Sequence, residues 1–256
     1  SFKGVQSQFS WVRGCIRISL LHDAGARLNC VYLPKLHVRN VHINICMLGK
    51  NFVERCTTTP VLTDPWPHTV THDHIDADSF DKLLKSCRNL LEINLRDMPT
   101  HKTTTENHIQ PKDFESFGID WYDEIHDISE QIYNNSKRLC DVFPEHRWFD
   151  NLCVSAYIGV TPPAPYDHII HQETVSKIWS SVTYITPENN CGTKMYTKED
   201  KDTLVKEAPW KPNTTMIFTG VEGKTWHSYN STEESNRITL NFFIKNKDVT
   251  KQYFYP

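Results

Sequence analysis

With 256 residues, 38% of them hydrophobic, the chain is long enough to bury a full core, in one large domain or at most two. Its 28 basic and 31 acidic residues leave a net charge of -3, with no run of five Lys/Arg and no basic arm, so nucleic acid is disfavoured as a partner. No apolar stretch approaches the roughly 18 residues that span a bilayer, and Ser1-Phe2-Lys3-Gly4 does not read as a signal peptide. The chain begins without Met, so a targeting segment is not judged from its start. Eight cysteines, at 15, 30, 46, 56, 87, 140, 153 and 191, include no C-x-x-C pair. They read as reduced, mostly buried thiols, which points to a cytoplasmic protein without a membrane partner.

In chain order, residues 11–48 read as strands. Cys15-Ile16-Arg17-Ile18-Ser19-Leu20 alternates apolar and polar, and Leu28 to Leu33 and Leu36 to Leu48 follow, punctuated by Gly25 and Pro34. Residues 57–76 lack periodicity and read as a loop. Asp76 or Asp78 then caps a helix expected to reach about Leu95, with Phe80, Leu83, Leu84, Cys87, Leu90 and Leu91 on its apolar side. After an irregular stretch over 97–118, Ile125, Ile128, Ile132 and Leu139 mark a second helix from about Asp120 to Val142, which Pro144 stops. From Asn151 the pattern changes to short strands: Leu152 to Val160, Tyr166 to Glu173, Ile178 to Thr186, Thr193 to Thr197, Thr214 to Thr219, Lys224 to Ser228 and Arg237 to Lys245. Strands at this spacing suggest a sandwich or jelly roll.

The chemistry concentrates in the second half. His171 and Glu173 are two apart, so on a strand both side chains face one way. Together with His227 they make two imidazoles and one carboxylate, the facial triad of non-haem Fe(II) oxygenases. The chain holds 13 histidines, so chance matches are expected and the context must decide. His72-Asp73-His74-Ile75-Asp76 also contains an H-x-D, but a helical stretch follows it, with no His and Arg at matching distances. His168 has no acid two residues on and reads as a flanking residue.

The run Tyr157, His171-Gln172-Glu173, Val182-Thr183-Tyr184-Ile185, Gly192-Thr193, Phe218-Thr219-Gly220, His227 and Arg237-Ile238-Thr239-Leu240 resembles the Fe(II)/2-oxoglutarate-dependent dioxygenase superfamily over about residues 150–246. The histidines lie 227 − 171 = 56 residues apart and the arginine follows by 237 − 227 = 10, spacings that suit that superfamily. Glu173 departs from its commoner Asp. The resemblance implies a mainly β fold with supporting helices, built on a double-stranded β-helix (jelly roll, cupin-like) core. The resemblance does not reach the first 150 residues; the whole chain reads as one domain over 1–256, with strands and helices of 1–149 supporting a catalytic core at 150–256.

The resemblance further implies that His171, Glu173 and His227 hold Fe(II), and that Arg237 takes the remote carboxylate of the co-substrate 2-oxoglutarate, with Thr239 and Tyr184 as further donors. O2 is the oxidant, and succinate and CO2 are released. The expected reaction is oxidation of an unactivated C–H, by hydroxylation, ring closure or desaturation, on a small polar, amino-acid-like substrate. A peptide side chain is the alternative substrate. A nucleobase is disfavoured, because the second arginine of the nucleic-acid demethylase pattern would fall at Phe243. The competing readings are a non-enzymatic jelly-roll binding or structural module, and a cupin-like metalloenzyme using no 2-oxo acid. Arg237-x-Thr239 speaks against the last.

Overall fold

The computed structural model describes residues 6–12, 15–21, 31–32, 51–95, 107–145 and 150–247. The chain divides into two compact units, Ser1–Met47 and Leu48–Pro256. In the first, β1 (Gln6–Val12), β2 (Cys15–Leu21) and β3 (Val31–Tyr32) form an antiparallel sheet in that order, Val12 opposite Cys15 and Arg17 opposite Tyr32. The strand expected over Leu36 to Leu48 lies outside the described residues.

The second unit begins with helix α1 over 51–58 and carries a six-stranded antiparallel sheet. Its strands are β4 (His68–Thr71), β5 (Asn107–Ile109), β6 (Leu152–Thr161), β8 (Lys177–Thr186), β11 (Thr215–Phe218) and β14 (Arg237–Asn246). They lie in the order β4-β11-β8-β14-β6-β5. A second sheet pairs β10 (Leu204–Glu207), β9 (Lys194–Tyr196) and β12 (Trp226–Ser228), and a short ladder joins β7 (Tyr166–Asp167) to β13 (Asn230–Ser231).

Strand β14 explains the layering. Its two faces alternate with period two. Ile238, Leu240, Phe242 and Ile244 enter a core shared with Phe52 and Val53 of α1, with Phe80 and Leu83 of α2 (Ala77–Cys87), and with Ile125, Ile128 and Ile132 of α3 (Tyr122–Asn134). Arg237, Thr239, Asn241 and Phe243 turn the other way and line a cavity of about 240 Å³. A second apolar cluster, with Trp66, Tyr184, Met195, Met216 and Phe218, brings together residues of the six-stranded sheet and of β9. The helices thus cover one face of the main sheet, and the polar stripe of β14 lies on its other face.

Local chemistry sets the helix ends. The Asp76 carboxylate accepts from Ser79 N–H at 3.0 Å and caps α2, a contact worth about 1 kcal/mol. The helix ends at Cys87 and tightens to a 3-10 turn over Arg88–Leu90, short of the Leu95 expected from periodicity. Asn236 accounts for this: its Nδ2 donates to the carbonyls of Leu90 and Ile93, both at 2.8 Å, drawing them out of a helical ladder. The second expected helix breaks at Asn135 into α3 and α4 (Ser136–Cys140). There Asn135 Nδ2 bonds Gln131 O and Ser136 Oγ bonds Ile132 O and Tyr133 O, side-chain bonds that compete with the regular ladder. Residues 57–76, expected as a loop, contain β4, which pairs residue for residue with β11.

Among the described residues Cys56, Cys87, Cys140 and Cys191 are buried, Cys153 is half-buried, and all are free thiols. No helix among them is long and apolar enough to cross a membrane. His74 is only 1% exposed, against the Phe52 ring (4.3 Å between centroids) and 3.6 Å from Cys56 Sγ. Burial, then the nearby Arg55 charge, lowers its pKa from 6.5 to about 3. In that window the unfolded chain binds a proton that the fold refuses, so stability falls as pH drops from 6.5 towards 3. His74 alone should remove about 2 kcal/mol by about pH 5. Urea unfolding at pH 7 and at pH 5 should show this drop shrinking by that amount in His74→Leu; an unchanged drop would contradict the assignment.

Candidate active site

The site is built on one antiparallel strand pair. Beyond the β7–β13 ladder, His168 N–H donates to Tyr229 O, and His171 and His227 exchange both backbone bonds, each at 2.9 Å. Residues directly opposite in such a pair project their side chains to the same side. The two rings accordingly lie 4.3 Å apart. Each ring turns Nδ1 to a carbonyl two residues back, His171 to Ile169 O at 3.0 Å and His227 to Thr225 O at 2.9 Å. A carbonyl partner takes the Nδ1 proton, so the tautomer it favours in a neutral ring presents its lone pair at Nε2, the metal-binding form. Burial, and then the His171 ring, lowers the His227 pKa to about 3, so His227 is neutral.

Glu173 follows two residues after His171. Gly220 makes room for it, since a Cβ there would come within 3.1 Å of Glu173 Cβ and 3.0 Å of Lys177 O. Oε1 accepts from Ser180 Oγ at 2.9 Å and Oε2 from Lys177 Nζ at 2.7 Å. Burial works to raise this carboxyl, but Lys177, then His227 and His171, outweigh it and bring its pKa down to about 2. The donor set, two imidazoles and an ionised carboxylate, suits Fe(II) in kind. Among the described residues, however, no three His, Cys, Asp or Glu are gathered closely enough to hold a metal as they stand, and both Glu173 oxygens are engaged elsewhere.

Arg237 opens β14 and is 2% exposed. Its guanidinium carbon lies 4.6 Å from the Tyr229 ring, 4.8 Å from Trp210 and 5.7 Å from Tyr184. Nε makes a long 3.4 Å bond to Cys191 O, and Nη2 is buried with no partner. No carboxylate among the described residues pairs with it. Thr239 follows on the same face; its Oγ1 accepts from Asn241 Nδ2 at 2.9 Å, with Gly159 of β6 opposite. Arg237, Thr239, His171, Glu173 and His227 all line the same cavity.

Tyr184 is placed differently from these five. Its hydroxyl donates to Thr193 Oγ1 at 3.0 Å and accepts from Thr193 N–H at 2.9 Å, and its ring stacks on Trp210 at 4.6 Å. Thr193 lines the cavity and Tyr184 holds it from behind. Gly192 lets that turn close, because a Cβ there would sit 1.8 Å from Ala208 O. Sequence reasoning missed Thr193, Lys177, Asn241 and Tyr229 as site residues. The period-two face that carries Arg237 and Thr239 would have found Asn241. His168 stacks on Tyr229 at 4.5 Å and flanks His171. In the His72–Asp76 stretch, His72 bonds Thr214 Oγ1 at 2.9 Å, while His74, the histidine of its H-x-D, packs against Phe52 of the helix-side core.

No protein-family model matches the sequence, and no curated protein sequence matches it. Solved structures do. A prolyl hydroxylase from Trichoplax adhaerens, in complex with a hypoxia inducible factor oxygen degradation domain peptide fragment, superposes with a TM-score of 0.51 at 12% identity, covering 84% of this chain and 97% of that one. A Pseudomonas putida prolyl-4-hydroxylase gives 0.47 at 14% identity, over 78% of this chain and 100% of that one. On the first of these likenesses the chain has a jelly-roll fold in common with the Trichoplax protein.

Proposed function

We propose that the chain is an Fe(II)/2-oxoglutarate-dependent oxygenase that oxidises an unactivated C–H of a small polar, amino-acid-like substrate. His171, His227 and Glu173 would hold Fe(II). Arg237 would take the far carboxylate of 2-oxoglutarate, with Thr239 beside it and Tyr184 acting through Thr193. The iron, when bound with 2-oxoglutarate and O2, supplies the oxidation of the C–H bond, with succinate and CO2 released.

The observation that carries this reading is Arg237. A buried guanidinium with an unpartnered Nη2 carries a desolvation penalty of about 1–3 kcal/mol or more. A planar carboxylate removes that penalty through paired charge-assisted bonds. The surrounding aromatic rings of Tyr229, Trp210 and Tyr184 exclude water and hold the guanidinium plane, so the anion meets a preformed partner. A cupin-like metalloenzyme without a 2-oxo acid has no use for such a group, and a purely structural jelly roll would bear its cost without return. The two imidazoles, each anchored through Nδ1 to the backbone, line the same cavity.

A peptide side chain is the second reading of the substrate. Ile169 is 68% exposed in the segment that leads into His171, and the Trichoplax hydroxylase was solved with a peptide fragment. Succinate formation with Fe(II), ascorbate and 2-oxoglutarate, measured against a panel of free amino acids and a panel of short peptides, tests both. Stimulation by a free amino acid is expected. Stimulation by peptides alone favours the second reading, and no 2-oxoglutarate turnover with either panel favours a non-enzymatic module.

A further inference from the structure

Glu173 is the only acid among the described residues lining the cavity, and it is already paired. The pairing is a product of local geometry. Lys177 N–H donates to Thr174 O at 2.8 Å, and the Thr174 and Ser176 hydroxyls lie 3.0 Å apart, closing a turn over 174–177. The turn carries Nζ back to Glu173 Oε2 at 2.7 Å. The side chains are 6% exposed for Glu173 and 23% for Lys177, and Nζ also sits 4.1 Å above the Phe243 ring. This is a largely desolvated pair held from three sides.

A buried carboxylate requires a countercharge, and losing it is strongly destabilising. In the metal-free protein Lys177 supplies that charge. A divalent cation at His171 and His227 would supply it too, and would draw on the same oxygens. We propose that Lys177 is a resident counter-cation that competes with the metal ion for Glu173. Metal entry therefore loosens the Glu173–Lys177 pair and turns an ammonium free into the cavity. Lys177 is a positioning residue: it keeps the metal-free site folded at the expense of metal affinity. This inference rests on the reading of Glu173 as a metal ligand.

The test is calorimetric titration with Mn(II), which needs no turnover, on wild type, Lys177→Met and Lys177→Arg, together with thermal melts with and without Mn(II). Methionine keeps the stem over Phe243 and removes the charge. It should raise Mn(II) affinity by about tenfold, the scale of a partly desolvated ion pair. Arginine should restore the wild-type affinity. Metal-free Lys177→Met should melt below wild type and recover more of its stability on adding Mn(II). Lys177→Gln, which keeps a donor to Glu173 without the charge, carries the same expectation should the methionine variant fold poorly. Equal or weaker Mn(II) binding by the folded variants would overturn the competition while leaving the metal site standing. No Mn(II) binding by any of the proteins would overturn the metal-ligand reading and the inference with it.

Discussion

Arg237→Met should weaken 2-oxoglutarate binding by about a hundredfold or more, the loss expected when one partner of a buried charge pair is removed, about 3 kcal/mol. The geometry makes this sharp. The guanidinium is packed against three rings, and no acid among the described residues stands in for the ligand. Methionine fills the space between Tyr229 and Trp210 without the charge. Lysine at 237 should recover only part of the affinity, because a point charge cannot reproduce the planar fork. Without 2-oxoglutarate the methionine variant should be at least as stable as wild type, since it removes a buried unsatisfied Nη2. Calorimetry with Mn(II) present reads both effects, with metal affinity itself unchanged. Undiminished 2-oxoglutarate binding would remove Arg237 from the site.

His227→Ala should retain no metal after dialysis while keeping its fold. The backbone exchange with His171 uses N–H and C=O groups that alanine also has, so the strand pair survives. Losing the buried ring should cost about 1–2 kcal/mol of stability. His72→Ala is the matched control. That side chain bonds Thr214 rather than facing the cavity, and its removal should leave metal binding intact. Metal retention by His227→Ala, or its loss in His72→Ala, would shift the site towards the His72–Asp76 stretch.

Much of the site is readable because strand geometry is simple. His171 and Glu173, like Arg237 and Thr239, are two apart, and period two places each pair on one face wherever the strand lies. The 10-residue step from His227 to Arg237 returns the chain from β12 to β14, on the other wall of the cavity. Pairings made by the fold are not readable. The 174–177 turn joins Lys177 to Glu173, and nothing in an i, i+4 spacing outside a helix announces it. Tyr184 sits at the position expected of a cavity donor, yet its hydroxyl bonds Thr193, a partner that only the Gly192 turn brings close. Strands β4, β5, β10 and β13, two to four residues long, carry no detectable period. They are set by pairing rather than by pattern: β5 lies along the ten-residue β6, and β4 along β11, which in turn lies against the ten-residue β8.

The most direct test is anaerobic titration with Fe(II) and 2-oxoglutarate, following the weak visible metal-to-ligand charge-transfer band. The band should appear in wild type and be lost in His171→Ala, which would establish metal and co-substrate in one cavity. Absence of the band in wild type, with no iron retained, would contradict the oxygenase reading and leave a jelly-roll binding module as the better account.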